Sequence, residues 1–245
     1  MTISIVVPVL NEAKILDDIL SVYTRSRRAK WDAELIVSDG GSTDGTIEIA
    51  KAHADKVVRH IAPHKQTIAE GRNCGADVAT GTVLVFINGD TVPADVDSFL
   101  AVISEYASKQ GRYRRAAALA CPVNVPPAER KRLDAAFALV YNGYVHMLNT
   151  LRIGAGRGEC QIVRRDIFRR VGGYRGKLAA GEDFDLLARI GLRARVRFAP
   201  ELVVFESPRR FRKFGYFRVL FLWTINALSV MVRGRSSSDE WEAVR

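Results

Sequence analysis

The amino-acid sequence predicts an α/β fold with a mostly parallel sheet flanked by helices. Apolar runs of strand length alternate with helical patterns over the first half of the chain. Polar or glycine-rich stretches follow several of those strands. Alternating strands and helices build parallel sheets with right-handed crossovers. The 245 residues, of which 48% are hydrophobic, suffice for one large α/β domain or two small ones.

Periodicity predicts the elements of the first half in order. The continuous apolar run Ile3–Val9 predicts a strand covered on both faces. Apolar residues at helical spacing then predict one helix over Glu12–Arg28. Further strands are predicted over Glu34–Ser38, Lys56–Arg59 and Thr82–Ile87, and further helices over Thr46–His53, with Asp44 as a cap, and Thr67–Val78.

The second half has longer helices and shorter strands. Helices are predicted over Ala94–Ser108, Ala128–Thr150, Arg164–Arg170 and Glu182–Ile190, and strands over Ala116–Val123, Val196–Phe198 and Leu202–Phe205. The glycines of Gly154–Gly158 predict a loop, whose Arg152 and Arg157 suit either a phosphate or sugar contact or a solvated surface.

The C-terminal part, residues 209–245, is predicted to be an amphipathic helix with a basic flank and a frayed polar tail. The uninterrupted apolar stretch Val219–Val232 has 14 residues, too short for a bilayer of about 30 Å. Cations and aromatic residues alternate before it, which suits an anionic membrane surface. The alternative is a helix packed on the core with a solvated basic flank. Arg218, Asn226, Ser229 and Arg233 share one side of this helix.

The net charge of +10 indicates an anionic partner of one of three classes: nucleic acid, an anionic membrane surface or phosphorylated small molecules. Nucleic acid ranks last, because no nucleic-acid-binding motif is recognisable. An anionic membrane surface and phosphorylated small molecules remain. The three scattered cysteines favour reduced thiols, and Met1–Ala13 lacks the features of a signal peptide. We therefore expect a cytoplasmic protein, with a peripheral position at the inner face of the cell membrane as an option.

Polar residues that follow the first two strands predict a ligand site. Pro8, Asn11 and Glu12 follow the first strand, and Asp39 and Ser42 follow the second. Ligands of open α/β sheets bind at the carboxyl ends of the strands, where such residues contact a ribose or a base. The alternative for Asn11 is a helix cap, and that for the Asp39 loop is a capped turn.

The most informative stretch is Val83–Asp90, in which five β-forming residues stop at Asn88-Gly89-Asp90. This order predicts a buried strand that brings an amide and a carboxylate to the sheet edge, where Asp90 suits a divalent cation. The alternative is an Asn-Gly turn. Arg72, on the preceding helix, is a candidate partner for a diphosphate or a carboxylate. Glu182-Asp183, at the start of a later helix, suits either catalysis or the helix dipole.

Four motifs in this order resemble the family 2 glycosyltransferases with a GT-A fold, a Rossmann-like sheet flanked by helices. They are SIVVPVLNEA, ELIVSDGGSTDGT, GRNCGADVATGTVLVFINGDT and RRDIFRRVGGYRGKLAAGEDFDLLARI. The resemblance covers about 190 residues. It implies inverting transfer of a sugar from a UDP- or GDP-linked donor, with Mg²⁺ or Mn²⁺, to a hydroxyl or phosphate acceptor.

The resemblance also implies a role for each motif. Residues 1–91 become a nucleotide-binding half and 92–208 an acceptor half of one GT-A domain, 1–208. Asp90 becomes the metal ligand and Asp183 the catalytic base, with Glu182 as second candidate. The nucleotide-sugar contacts are then Pro8, Asn11, Glu12, Asp39, Ser42, Arg72, Asn88 and Gly89.

One departure from the family pattern affects the metal site. Asn88 stands where the family usually has an Asp, which removes a negative charge, and no late His offers a third ligand; Glu206 is the candidate instead. We expect a metal-dependent transferase whose acceptor is lipid-linked, or a glycan, at a membrane. The alternatives are a transferase with a soluble acceptor and a nucleotide-sugar-binding protein with weak or no turnover.

Overall fold

Two sheets organise the structure, a computed structural model that describes residues 1–238 without the side chains of Leu228, Met231 and Val232. The strands are β1 (Ile3–Val9), β2 (Ala33–Asp39), β3 (Lys56–Arg59), β4 (Val83–Ile87), β5 (Thr91–Pro93), β6 (Ala118–Ala120), β7 (Val123–Asn124), β8 (Cys160–Arg164), β9 (Val196–Phe198) and β10 (Val204–Glu206). The larger sheet has the order β3-β2-β1-β4-β8-β6-β9 and the smaller β5-β10-β7.

The larger sheet is mostly parallel, as predicted. Strand β1 lies at its centre and pairs in parallel with β2, Ile3 opposite Ala33, and with β4, Ile3 opposite Val83. Only β8, which the sequence analysis did not predict, runs antiparallel to its neighbours β4 and β6 within the described chain. Because β1, β2 and β4 are parallel, their carboxyl ends reach the same edge.

The helices cover both faces of this sheet. They are α1 (Leu16–Ser21), α2 (Arg25–Lys30), α3 (Thr46–His53), α4 (Ile68–Asp77), α5 (Val96–Ala107), α6 (Arg132–Thr150), α7 (Arg165–Arg170), α8 (Glu182–Gly191), α9 (Arg209–Phe214) and α10 (Tyr216–Arg233). Along β1, Ile5 and Val7 belong to one apolar cluster and Val6 to the other. The predicted double cover of Ile3–Val9 is therefore confirmed.

The single helix predicted over Glu12–Arg28 is wrong, because two short helices, α1 and α2, meet at Thr24. Thr24 has an extended backbone (φ −54°, ψ 155°), and its Oγ1 accepts a hydrogen bond from the N–H of Arg27 at 3.2 Å. A threonine hydroxyl that caps a new helix ends the preceding one. The apolar periodicity persists across the break and conceals it from sequence analysis.

Two boundaries in the second half also differ from prediction. The strand predicted over Ala116–Val123 is divided into β6 and β7 around Pro122, which has no N–H for the ladder. The long helix α6 begins at Arg132 rather than near Ala128. A short helix, α9, precedes α10 and was not predicted. The other predicted elements are confirmed to within a few residues.

The C-terminal helix α10 packs partly on the core and partly faces outward. Its Val219, Asn226 and Val230 are buried, whereas Phe217 and Phe221 are 90% and 63% exposed. None of the helices within residues 1–238 is both long and apolar enough to cross a membrane.

The predicted fraying of the polar tail is wrong where the tail is described, and its residues 239–245 lie outside the described chain. The Ser236 hydroxyl donates to the carbonyl of Ala180 and accepts from its N–H, at 2.8 and 3.1 Å. The side-chain Oδ1 of Asn226 accepts hydrogen bonds from the N–H groups of Ser237 and Ser238 at 3.0 Å each. The tail is held beside the start of α8, because a buried amide supplies hydrogen bonds that its polar composition did not reveal.

Candidate active site

The carboxyl edge of β1, β2 and β4 opens into a cleft of 620 Å³. The predicted residues that line this cleft are Pro8, Asn11, Glu12, Asn88, Gly89 and Asp90. Asp39 and Ser42 lie beneath the neighbouring loop and are buried. Arg72 lines a smaller cavity of 110 Å³, which shares Asn88 and Glu159 with the cleft. The fold thus brings the predicted residues to one edge of the sheet.

The loops after β1 and β2 are tied together by side-chain hydrogen bonds. The Asn11 Oδ1 accepts from the N–H of Thr43, and the Asn11 N–H donates to the Oγ of Ser42, each at 2.8 Å. Asn11 holds a left-handed backbone (φ 53°), which Asn tolerates better than most residues. The alternative of a helix cap by Asn11 is not what the structure shows; its side chain organises the opposite loop.

The Asp39 carboxylate is fully buried and accepts the N–H groups of Gly41 and Ser42 at 3.0 to 3.2 Å. Asp44 accepts from the N–H of Thr46 at 3.0 Å, which satisfies a donor at the start of α3. These bonds give the loop a fixed backbone at the strand end. The nucleotide contacts inferred for Asp39 and Ser42 stay predictions.

Arg72 connects three parts of the site. Its guanidinium is 1% exposed and donates to Glu182 Oε1 at 2.8 Å, to Asn88 Oδ1 at 2.9 Å and to the Gly158 carbonyl at 2.6 Å. The Tyr174 ring lies 5.1 Å from the guanidinium carbon. Of the partners inferred from sequence, the structure shows the carboxylate, Glu182. The amide of Asn88 accepts here without adding a charge.

The acidic pair Glu182-Asp183 begins α8, after Gly181 with a positive φ of 80°. Burial, with Asp183 next in effect, raises the pKa of Glu182 to about 7. Burial also raises the pKa of the half-buried Asp183, although the Arg72 cation opposes the rise. Asp183 Oδ1 accepts a hydrogen bond from the N–H of Phe184 at 2.8 Å. Two carboxyl groups with raised pKa values in a cavity are a reasonable source of a general base.

Gly158 lets the backbone approach this pair closely. A Cβ at this position would lie 3.0 Å from Asp183 Oδ2 and 3.3 Å from Arg72 Nη2. Gly158 also accepts from Arg72 through its carbonyl. The glycine-rich loop of residues 154–158 therefore serves as a close wall of the acidic cavity.

Arg157, from the same loop, is buried among carboxylates, so the interpretation of it as a solvated residue is wrong. Its Nη2 donates to Glu159 at 3.0 Å and to both oxygens of Glu206 at 2.7 and 2.8 Å. Burial raises the pKa of Glu206 to about 8, while the Arg157 cation helps to hold the pKa of Glu159 below its usual value against burial. Glu206 thus pairs with Arg157 and also lines the cleft, and its role as a metal ligand stays a prediction.

The C-terminal segment also contributes to the site, which the sequence analysis did not predict. Trp223 and Asn226 of α10 line the cavity that holds Asp183, together with Tyr141 of α6. The Arg157 guanidinium lies 5.1 Å from the Trp223 ring and 5.5 Å from the Tyr141 ring. The wall of the acidic cavity therefore includes the two helices α6 and α10.

Arg209, assigned to a basic flank by the sequence, lies beside Asp90 at the end of the Asn88-Gly89-Asp90 stretch. Its Nη2 is 3.5 Å from Asp90 Oδ2 and 3.7 Å from Glu12 Oε2, and its Nε donates to Ser207 Oγ at 3.0 Å. Burial raises the pKa of Asp90, with Glu159 contributing and Arg209 opposing. The missed signal is positional: Arg209 follows the end of β10 by three residues, as the other site residues follow their strands.

The donor atoms at this edge fit a cation that arrives with its own phosphate ligands. Within residues 1–238, no group of three or more His, Cys, Asp or Glu residues is arranged to hold a metal ion. Asp90 is 34% exposed and points its carboxylate into the cleft. Mg²⁺ sites commonly combine one or two carboxylates with substrate phosphates and water. Asp90 fits the first of these roles.

Comparisons with known proteins agree with this architecture. The family model described as glycosyl transferase family 2 matches residues 4–172. A PGL/p-HBAD biosynthesis glycosyltransferase of Mycobacterium bovis is 35% identical over 102 residues, 40% of this chain and 39% of that protein. Glycosyltransferase AglE of Haloferax volcanii is 34% identical over 94 residues, 37% of this chain and 31% of that protein. The match spans about two fifths or less of these curated relatives.

Solved structures show the same fold. Mannosyltransferase PcManGT from Pyrobaculum calidifontis, in complex with GDP-Man and Mn²⁺, has a TM-score of 0.66 at 20% identity, over 92% of this chain and 61% of that one. Glucosyl-3-phosphoglycerate synthase from Mycobacterium tuberculosis, with Mn²⁺, UDP and glucosyl-3-phosphoglycerate, has a TM-score of 0.60 at 19% identity, over 97% and 81%. The predicted GT-A fold is confirmed.

Proposed function

Because the chain belongs to glycosyl transferase family 2, we propose that it transfers a sugar from a UDP- or GDP-linked donor to an acceptor hydroxyl with inversion. The observation that carries this proposal is the buried Arg72, which binds Asn88 and Glu182. Asn88 lies at what we call the donor edge, the carboxyl ends of β1, β2 and β4 with the loops that follow them, and Glu182 belongs to the acidic pair. One side chain thus ties the cleft suited to a diphosphate to the cavity suited to a base. Arg72 belongs to the predicted nucleotide-binding half and Glu182 to the predicted acceptor half.

The cleft supports the proposal that the protein binds a nucleotide-sugar donor. Its 620 Å³ lies within the usual range for small-molecule sites, about 300–1,000 Å³. Pro8, Asn11 and Glu12 form one wall, and Asn88-Gly89-Asp90 forms another. Lys65 and Arg210 also line the cleft and supply cations for a diphosphate. The nucleoside would then lie toward the Asp39–Asp44 loop, whose backbone is already ordered.

Asp90 would hold Mg²⁺ or Mn²⁺ together with the diphosphate oxygens of the donor. Such a cation supplies positive charge that stabilises the leaving nucleoside diphosphate. The proposal draws support from the Mn²⁺ present in related folds and from the carboxylate of Asp90 in the cleft.

Asp183 would act as the general base. Its carboxylate takes the proton of the acceptor hydroxyl while the hydroxyl oxygen bonds to the anomeric carbon from the opposite face. The bond from that carbon to the diphosphate oxygen breaks, and its electron pair leaves with the nucleoside diphosphate. Arg72 keeps Glu182 paired and adds positive charge near Asn88.

A screen of nucleotide sugars tests the donor proposal. UDP- and GDP-linked sugars should each be tested by thermal shift with and without Mn²⁺, since ligand stabilisation grows with the ratio of concentration to dissociation constant. We expect at least one nucleotide sugar to raise the melting temperature, and we expect this shift to be larger when Mn²⁺ is present. No shift with any nucleotide or nucleotide sugar at millimolar concentration would contradict the proposal.

A nucleotide-sugar-binding protein with little turnover is the second candidate, favoured by Asn88. An Asp in the same place would add a carboxylate to the metal site. In that case Asn88→Asp should raise donor hydrolysis by about tenfold or more, because the native site lacks charge rather than shape. If Asn88 instead serves Arg72, the variant should change hydrolysis by less than about threefold. Metal-stimulated hydrolysis of the donor by the two proteins distinguishes these outcomes.

The acceptor is proposed to be lipid-linked, or a glycan, presented at the inner face of the cell membrane. The outward faces of α6 and α10 carry large exposed apolar residues: Leu133, Leu139, Val140, Met147, Phe217 and Phe221. The two helices touch through Tyr141 and Trp223, whose ring centres are 5.6 Å apart. Because the inner faces of these helices line the Asp183 cavity, a membrane on the outer face would place its lipids beside the base.

Basic residues next to this apolar surface support an anionic membrane over a neutral partner. The exposed Lys213 and Arg218 accompany the exposed aromatic Phe217 on α9 and α10. Phosphatidylglycerol liposomes should bind the protein, and Phe217→Ser/Phe221→Ser should weaken binding by about tenfold or more. Leu192→Ser, which removes an isolated residue that is 86% exposed, is the matched control. Unchanged liposome binding by the double variant would favour a soluble acceptor. So would a wild-type protein that forms a dimer through this apolar surface instead of binding liposomes.

A further inference from the structure

Arg209 occupies the donor edge in the described chain. Its guanidinium lies between Asp90 at 3.5 Å and Glu12 at 3.7 Å, and a bond to Ser207 at 3.0 Å orients it. Both carboxylates line the cleft, and they follow β1 and β4, which are distant from α9 in the sequence. A cation from the C-terminal segment therefore lies where the proposed donor complex would bring one.

We propose that Arg209 is the resident counter-cation of Asp90 and Glu12. The divalent cation replaces Arg209 beside these carboxylates only when it arrives with a nucleoside diphosphate. The inference rests on the proposed function and concerns the order in which ligands bind. After replacement, the freed guanidinium pairs with the diphosphate, so that one residue serves the empty and the filled cleft. Arg209 is thus a binding residue rather than part of a surface flank.

The charges around the cleft support this assignment. Four carboxylates line it, from Glu12, Asp90, Glu159 and Glu206. Arg157 binds Glu159 and Glu206 at 2.7 to 3.0 Å, whereas Asp90 and Glu12 face Arg209. A divalent cation alone would have to compete with Arg209 for one carboxylate of a site that lacks a three-residue ligand group among residues 1–238. A cation bound to a diphosphate brings two more oxygen ligands and an anion for Arg209.

The same exchange would couple donor binding to the C-terminal helices. Arg209 is the first residue of α9, and α9 is followed directly by α10, whose Trp223 and Asn226 line the Asp183 cavity. A guanidinium that changes partners at the donor edge therefore lies at the N-terminal end of the segment that lines the Asp183 cavity.

Mn²⁺ binding followed by the EPR signal of the free ion tests the proposal without turnover. Arg209→Gln should bind Mn²⁺ alone about fivefold more tightly than the wild type, because a competing cation is removed. The same variant should bind UDP or GDP at saturating Mn²⁺ about tenfold more weakly, because a charge-assisted pair is lost. Opposite changes in two affinities cannot arise from partial unfolding, which weakens both.

Three further proteins sharpen the test. Arg209→Lys keeps the charge and should bind Mn²⁺ alone as weakly as the wild type. Arg170→Gln removes the same charge from exposed α7 and should leave both affinities unchanged. Adding Asp90→Asn to Arg209→Gln should abolish the gain in Mn²⁺ affinity.

Several results would overturn the proposal. They are an unchanged Mn²⁺ affinity in Arg209→Gln, an equal gain in Arg170→Gln, or a gain that survives Asp90→Asn. If Arg209→Gln does not fold, the wild type decides: equal Mn²⁺ affinity with and without UDP or GDP would contradict replacement by a nucleotide complex. A gain in Mn²⁺ affinity together with no binding of UDP or GDP by the wild type would refute the proposed donor and leave the Arg209–Asp90 pair in place.

Discussion

The donor edge and the acidic cavity that adjoins it are stabilised in different ways. At the donor edge, side chains of Asn11, Ser42 and Asp39 bond to backbone N–H groups of neighbouring loops. At the acidic cavity, buried charges pair across long stretches of chain, as Arg72 and Glu182 do over 110 positions. Removing one partner of a buried ion pair leaves an uncompensated buried charge, which costs more than the loss of a single hydrogen bond to the backbone. Catalytic chemistry and sensitivity to mutation should therefore concentrate on the acidic side.

Replacing the proposed base should separate the two regions most strongly. Asp183→Asn should lower kcat for sugar transfer by about 10³-fold, because the acceptor hydroxyl loses its proton acceptor. The dissociation constant for UDP or GDP with Mn²⁺ should stay within about twofold of the wild type. Asp166→Asn makes the same chemical change on exposed α7 and is the control. Loss of nucleotide binding in Asp183→Asn would show that the acidic cavity belongs to the donor site.

The next largest effect is expected on stability, at the residue that joins the regions. Arg72→Met should reduce the free energy of unfolding by about 3 kcal/mol, because Glu182 is left buried without its cation. Urea denaturation measures this, with Arg170→Met expected to change it by less than about 0.5 kcal/mol. Arg72→Met/Glu182→Gln should recover part of the loss. A cost no greater than that of the control would mean that the connection between the two regions contributes no stability.

The smallest effect is expected in the pH dependence of stability. The pKa of Glu182 rises on folding from 4.5 to about 7, so its stabilising contribution is complete below pH 4.5 and is lost as pH rises through about 7. The free energy of unfolding should therefore fall less over this interval in Glu182→Gln than in the wild type. Asp183 shifts in the same direction and persists in the variant, so some slope remains. Parallel curves for the two proteins would indicate that Glu182 stays ionised.

Local sequence predicted the donor edge better than the acidic cavity. The strand ends at Val9, Asp39 and Ile87 follow from apolar runs that stop at polar residues, and parallel pairing brings them to one edge. The helix break at Thr24 was missed because its apolar periodicity continues across the break. The antiparallel strand β8 was missed because a short apolar run beside a glycine-rich loop has no distinctive period.

The partners of buried charges were the least predictable part of the site. From the sequence, Arg157 resembled a basic loop residue, Arg209 part of a membrane-binding flank and Glu206 a metal ligand. In the structure, each lines the cleft or the acidic cavity and pairs with a specific counter-ion. Each of these pairs joins residues from separate elements. Composition and spacing report how much charge a segment carries, but they do not report which distant segment faces it.

By itself, the sequence determined the α/β class, the family resemblance and the positions of Asn88, Asp90 and Asp183 at the ends of elements. It did so because strand and helix periods, and the residues that terminate them, are local properties of the chain. Only the tertiary structure decided that Arg72 binds Glu182, that Arg209 faces Asp90 and that α10 lines the cavity of Asp183. These contacts depend on how the sheet and its crossovers bring distant residues together. The interaction energy of two charges depends on their distance in space and not on their separation in the sequence.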